Sequence, residues 1–276
     1  MEYKDKFALL VLSCDKYRFA WDDFFNLRDM FWPDCPYKWY LVTESEEYKR
    51  DNVIIVKCGK GMNWTGRFKH AIEVSGAEYV GMYLEDYFID RPIDDLIIKE
   101  DISLMEEKHI TMLNMGDEFG WICGQPNKKY IADNVFEIPK HLRSGVGAVP
   151  SIWQSKYMLK LLGDKDCNAW EFEVDRNREA ASSEGTIGYP ACDERAPFNV
   201  SKVQIIIQGK LYPKCIKHFK KKGYMIDASR YDLMTNKEIF RWKFKHYSAK
   251  IPFGRPFLKW VGTHVFGYEF CSDIYK

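Results

Sequence analysis

Phe7-Ala-Leu-Leu-Val-Leu-Ser13 opens the chain with an uninterrupted apolar run, and Cys14-Asp15-Lys16 follows at once. A strand with one wet face would alternate apolar and polar residues. A continuous run of this length, closed by turn residues, reads as a strand buried on both faces of a parallel sheet. Tyr17 to Phe31 comes next with Ala20, Trp21, Phe24, Leu27 and Phe31 at helical spacing, and Trp32-Pro33-Asp34-Cys35-Pro36 ends that helix. Strand followed by helix is the first half of a βαβ unit.

The alternation continues. Tyr37 to Thr43 and Val53 to Val56 read as strands, Trp64 to Val74 as a helix and Glu78 to Leu84 as a strand. Asp94 to Glu107 reads as a helix and Ile110 to Met115 as a strand. This order predicts an α/β fold, with a mainly parallel central sheet flanked by helices. Residues 116–150 hold turns and short extended pieces, suited to antiparallel strands and an acceptor loop. Tyr157 to Leu162 and Asn168 to Ala181 read as helices, and Val203 to Gln208 as a further buried strand. No repeat or low-complexity linker divides the chain. The expected organisation is one domain, residues 1–200 with a C-terminal extension, 201–276, packed on them.

The 276 residues are 46% hydrophobic and 29% charged, which excludes disorder, collagen and a disulfide miniprotein. No apolar run reaches the roughly 20 residues of a membrane span. The reading is therefore a cytoplasmic protein. Eight scattered cysteines include no Cys-x-x-Cys pair and read as reduced thiols.

The net charge of +1 conceals an asymmetry. Residues 201–276 carry 13 Lys and three Arg against five acids, net +11, while the first 200 residues carry net −10. Lys214 to Lys222 reads as a basic helix between Pro213 and Gly223. Arg241-Trp-Lys-Phe-Lys-His-Tyr and Pro252 to Trp260 interleave basic and aromatic residues. A solvated basic face is the plain reading. Anionic lipid is the next, placing the protein peripherally at the inner face of a membrane, and nucleic acid fits least.

Ligands of such sheets bind beyond the carboxyl ends of the strands, where strand order reverses. The first strand is followed by Ser13 and Asp15; Asp15 suits a ribose or base hydroxyl, or a helix cap. Thr43-Glu44-Ser45 after the second strand reads as a polar turn. Gly59 to Arg67 combines glycines with a helix start suited to phosphate. It lacks the Walker ending, and Arg67 in a helix's first turn opposes the macrodipole, which favours a diphosphate clamp. Tyr79-Val-Gly-Met-Tyr-Leu-Glu85-Asp86 delivers two adjacent carboxylates to a strand end. Like charges there call for a cation or for donor groups. Asn168-Ala-Trp-Glu171 matches a capping box, and Glu171 or Glu173 is a candidate base.

Taken in order, several passages resemble one family. They are Val11 to Tyr17, Phe31 to Pro36, Trp64-Thr-Gly-Arg67, Tyr83 to Phe88, Trp170-Glu-Phe-Glu173, and Gly209 to Pro213 followed by Gly223 to Asp227. Together they resemble bacterial glycosyltransferases of the GT-A type found in capsule and surface-polysaccharide loci. The resemblance implies a Rossmann-like GT-A fold and transfer of a sugar from a nucleotide-sugar donor, a UDP-sugar by preference, to a glycan or lipid-linked acceptor hydroxyl. It implies donor contacts at Ser13, Asp15, Trp64, Arg67, Glu85 and Asp86, with Mn²⁺ or Mg²⁺ at Asp86 and Glu85. Tyr87 stands where the family's metal motif has a second acid. The resemblance also implies a base in the Trp170–Glu173 segment, with Glu171 preferred to Glu173. Two competing readings are a non-catalytic sugar-binding scaffold and a nucleotidyltransferase. The second lacks a glycine-rich loop after the first strand.

Overall fold

The computed structural model describes residues 6–116, 122–139, 142, 147–182, 188–248 and 254–266. The expected α/β alternation is present. Strand β1 (Phe7–Leu12) leads through a 3₁₀ turn (Asp15–Tyr17) to helix α1 (Arg18–Phe31), then β2 (Lys38–Thr43) and β3 (Val53–Lys57). Helix α2 (Trp64–Ser75), β4 (Tyr79–Leu84), α3 (Asp95–Lys108) and β5 (Met112–Asn114) follow. A hairpin of β6 (Tyr130–Ala132) and β7 (Val135–Glu137) comes next, then β8 (Ser151–Gln154), α4 (Ser155–Leu162), α5 (Ala169–Ser182) and β9 (Pro190–Asp193).

These nine strands form one sheet in the order β3-β2-β1-β4-β8-β5-β9-β7-β6. Seven run in one direction; β8 and β7 oppose them. Helices cover both faces, so β1 is buried along its whole length. Its side chains alternate between two cores, as the pleat requires. Phe7, Leu9 and Val11 join Trp21, Phe24 and Phe25 of α1 and Ile98, Ile102 and Met105 of α3. Ala8, Leu10 and Leu12 join Phe68, Ala71 and Ile72 of α2 with Met158 and Leu161 of α4. Gly81 in β4 is needed for this packing, because a Cβ there would lie 2.6 Å from Leu9 Cδ2 and 2.9 Å from Phe7 Cζ.

Two short strands escaped the sequence pattern. Ser151-Ile-Trp-Gln154 and Pro190-Ala-Cys-Asp193 are only four residues each, below the length at which periodicity speaks. Val203 to Gln208, expected as a buried sheet strand, is instead corrected to one arm of a separate hairpin. Only Ile206–Ile207 (β10) pairs, with Lys210–Leu211 (β11). Gln208 and Gly209 both have positive φ, the backbone of a two-residue hairpin turn, which folds the run back on itself.

Helix α6 (Pro213–Lys221) begins at Pro213 and is followed by Gly223 at φ 85°. Leu211, Cys215, Phe219, Ile226 and Tyr231 enter the same core as α1 and α3. Asp23 of α1, 1% exposed, anchors this region; it accepts from Tyr224 Oη, Tyr231 Oη and Arg230 Nη2. Helices α7 (Asn236–Ser248) and α8 (Gly254–Phe266) complete the described chain. No described helix is long and apolar enough to cross a membrane. None of the seven described cysteines forms a disulfide.

A buried acid pair lies at the end of β9. Arg195 Nε donates to both oxygens of Asp193, at 2.8 and 3.1 Å, and Nη2 reaches Asp101 Oδ1 at 3.1 Å. One guanidinium cannot neutralise two desolvated carboxylates. Burial, then the Asp193 charge, push the Asp101 carboxyl up to about 9, with Arg195 opposing. Folded Asp101 thus holds a proton that the unfolded chain releases near its ordinary value of 3.8. Its contribution to stability is present below that value and is lost as pH rises between about 4 and about 9. Asp101→Asn, a neutral replacement of the same shape, should flatten the fall in Tm across that window. Parallel Tm–pH curves for the two proteins would refute the assignment.

Candidate functional site

Strand order turns at β1: β2 and β3 lie on one side, β4 on the other. Leu12 pairs with Val42 and with Leu84, so the three strands end level. Ser13–Asp15, Thr43–Glu46 and Glu85–Asp86 therefore emerge side by side at the carboxyl edge. The first turn of α2 brings Arg67 to the same place.

Asp15 ties the first two of these loops together. Its carboxylate accepts from the amides of Glu44, Ser45 and Glu46 at 3.0–3.1 Å and from Ser45 Oγ at 2.6 Å. Slight burial opposes ionisation, but the Ser45 hydroxyl and these amides hold the carboxyl at about 2. Asp15 does not cap the following helix; its oxygens are occupied by the loop.

Glu44 completes the clasp and was read from sequence only as part of a polar turn. Its Oε2 accepts from the Asp15 amide at 3.2 Å, and its Oε1 lies 3.3 Å from Arg67 Nη1. The available signal was its place at the end of β2, next to the switch point. Arg67, 13% exposed, is thereby aimed across the loops. It draws down the thiols of Cys14 and Cys58 and the carboxyl of Glu85, although burial dominates at all three and leaves them raised.

The expected phosphate cradle at the start of α2 is corrected. Asp166 occupies it from within the chain: Oδ2 accepts from the Asn63 amide at 2.7 Å and Oδ1 from the Gly66 amide at 2.9 Å. Thr65 Oγ1 lies 3.2 Å from Asp166 Oδ1 and accepts from the Cys167 amide at 2.7 Å. A carboxylate satisfies a helix N-terminus as a phosphate would. Trp64 is 8% exposed and packs on Phe68 and Phe172, so its ring supports the site from the core and presents no open face.

Glu85 and Asp86 are the centre of the arrangement. Glu85 is 7% exposed, bonded by Ser13, whose Oγ in turn accepts from Trp21 Nε1 at 2.8 Å. Burial, then the Asp86 charge, push Glu85 up to about 8, and burial pushes Asp86 up to about 6. Asp86 Oδ1 is buried without a hydrogen-bond partner among the described residues. A buried acceptor left this way is costly unless something binds it. The phenol of Tyr17 and the thiol of Cys14 border the pair; burial and the charge of Glu85 raise both.

Two acids with an orphaned oxygen fit a divalent cation. Mg²⁺ and Mn²⁺ sites of this kind use one or two carboxylates and fill the remaining positions with phosphate oxygens and water. Among the described residues no group of three His, Cys, Asp or Glu is disposed to hold a metal, so the protein alone would not complete the shell.

The two candidate bases part company. Glu171 Oε2 accepts from the Asn168 amide at 3.1 Å, and Asn168 Oδ1 accepts from the Glu171 amide at 3.0 Å. That is a capping box at the start of α5. Glu173 Oε1 accepts from the Ala148 amide at 2.7 Å, while Ala148 O accepts from Tyr87 Oη at 2.8 Å. Glu173 is thus linked through one residue to the neighbour of Asp86. Burial raises its carboxyl, with the Ala148 amide opposing. A Cβ on Gly147 would lie 2.8 Å from Glu173 Oε1, so glycine gives this approach its room.

The chain matches no family model and no curated protein. Solved structures resemble it in layout. S. aureus TarS 1–349 aligns with a TM-score of 0.46 at 10% identity, covering 68% of this chain and 58% of its own. A cytidylyltransferase from Leptospira borgpetersenii serovar Hardjo-bovis aligns at 0.45 and 14% identity, covering 73% and 81%. A UDP-glucose pyrophosphorylase complexed with UDP-glucose aligns at 0.41 and 9% identity, covering 68% and 89%. The alignment thus spans little more than half of the TarS fragment. At these scores the likeness carries no chemistry across, and the site is read from its own residues.

Proposed function

We propose that this protein is a glycosyltransferase, moving a sugar from a nucleotide-sugar donor, UDP-linked by preference, to a hydroxyl of a glycan or lipid-linked acceptor in surface-polysaccharide synthesis. The observation that carries the reading is the adjacent acids Glu85, buried, and Asp86, half-buried with one buried and unpartnered oxygen, at the switch point beside Arg67. Asp86 and Glu85 would hold Mn²⁺ or Mg²⁺, which when bound supplies positive charge against a diphosphate. Asp15 and Glu44 keep the β1 and β2 loops in register and orient Arg67 toward the same charge. Pre-aimed donors of this kind need no reorganisation as leaving-group charge develops.

On the acceptor side we assign the base to Glu173 and the helix cap to Glu171. As the acceptor oxygen bonds to the anomeric carbon, the anomeric C–O bond to the diphosphate breaks. The hydroxyl proton passes to Glu173, whose raised carboxyl is suited to receive it. Loss of a general base costs about 10²–10⁴-fold in rate. Glu173→Gln should therefore lower kcat for transfer by about that factor with the donor KM little changed. Glu171→Gln should keep kcat and lose at most about 1 kcal/mol of stability, the worth of a cap. Turnover with a panel of nucleotide-sugars and generic glycan acceptors tests the reading. Equal kcat for Glu173→Gln and wild type would remove the base. Pyrophosphate release from a nucleoside triphosphate, without sugar transfer, would replace glycosyl transfer with nucleotidyl transfer.

A further inference from the structure

We propose that α7 and α8 form a docking surface for an anionic lipid bilayer, lying on the membrane without crossing it. The surface rests on these two helices alone and stands or falls apart from the donor site.

Helix α7 has two unlike sides. Ile239 and Trp242 pack against Ile207, Tyr212 and Met234. Phe240 and Phe244, one turn apart, point away from that cluster, are 69% and 58% exposed, and stack with ring centroids 6.3 Å apart. Lys237 and Arg241, exposed and each three residues before one of these rings, lie beside them on the helix surface. Helix α8 packs on α7 and also exposes rings. Phe257, 65% exposed, and Trp260, 56% exposed, lie on one stripe with His264, whose ring stacks on Trp260.

Exposed aromatic rings in successive turns are a cost to a protein facing only water. The same stripe flanked by Lys and Arg is what an interfacial helix presents: rings enter the headgroup region and basic groups meet anionic lipid. The charge supports this occupant over a second copy of the chain. Helices α7 and α8 carry six Lys and Arg against Glu238 alone, net +5, so two such faces would repel, whereas an anionic surface attracts them.

The test is co-sedimentation of the full chain with phosphatidylcholine vesicles, with and without phosphatidylglycerol, over a salt series. Binding should require the anionic lipid and fall as salt rises. Phe240→Ser, Phe244→Ser, Phe257→Ser and Trp260→Ser combined should weaken it on the order of a hundredfold, since each ring loses part of its burial. Lys237→Glu with Arg241→Glu, which leaves every ring in place, should weaken it too and flatten the salt dependence. Equal binding to neutral vesicles would overturn the proposal, as would unchanged binding by both variants. A dimer in sedimentation velocity that the aromatic variant abolishes, with no vesicle binding, would make this face a self-association surface and overturn it as well.

Discussion

Asp23→Ala is expected to cost about 3–5 kcal/mol, the usual penalty for removing one partner of a buried ion pair. Asp23 is 1% exposed and stands on α1, whose apolar side lies against the β1 face of the sheet. It receives the hydroxyls of Tyr224 and Tyr231 and, at 2.8 Å, Arg230 Nη2. All three donors come from the stretch after α6, so one carboxylate fastens that stretch to the core. Deleting it strands the Tyr231 phenol and half a guanidinium, and leaves the Tyr224 phenol with Asn26 alone. Asp22, 2.9 Å from Arg230 Nη1, retains part of the arginine's pairing and keeps the loss from being larger. Urea denaturation measures it. Tyr231→Phe, which removes one hydroxyl from the same hub, should cost about 1–2 kcal/mol. A loss below about 1 kcal/mol for Asp23→Ala would show that apolar packing alone holds this region.

The fold was legible where burial imposes a pattern. The Phe7–Leu12 run, the helical spacing of Trp21, Phe24 and Leu27, and the alternation that follows all lie inside a sheet covered on both faces. Legibility ended where elements are short. A strand of four residues shows too little of its period, and Val203 to Gln208 was apolar for a reason other than sheet pairing: its arm packs under α7. At the site, Glu85, Asp86 and Arg67 could be found because strand ends and helix starts are predictable places. The roles of Glu44 and Asp166 could not. Asp166 meets Gly66 across 100 residues of sequence, and Asp15 meets Ser45 across 30. Such partners leave no local period, and a carboxylate that caps a helix looks in sequence like one that awaits a ligand. Asp15 and Glu171 illustrate the point, since both were candidates for chemistry and both spend their oxygens on neighbouring amides.

The one site oxygen left unspent, Asp86 Oδ1, is the test of the whole account. A calorimetric titration of the protein with UDP, in Mn²⁺ and again in EDTA, and of Asp86→Asn in Mn²⁺, addresses it directly. The account predicts specific binding that requires the cation, because Asp86 Oδ1 has no partner among the described residues and Arg67 faces the same edge. Asp86→Asn removes one of the two carboxylates available to the cation and should weaken binding on the order of a hundredfold. A ligand at 100 times its Kd adds about 2.7 kcal/mol of stability, so a thermal shift on the same samples provides a second readout. Identical UDP binding in Mn²⁺, in EDTA and in Asp86→Asn, or no nucleoside diphosphate binding by the folded protein, would contradict the assignment of a donor site to the ends of β1 and β4.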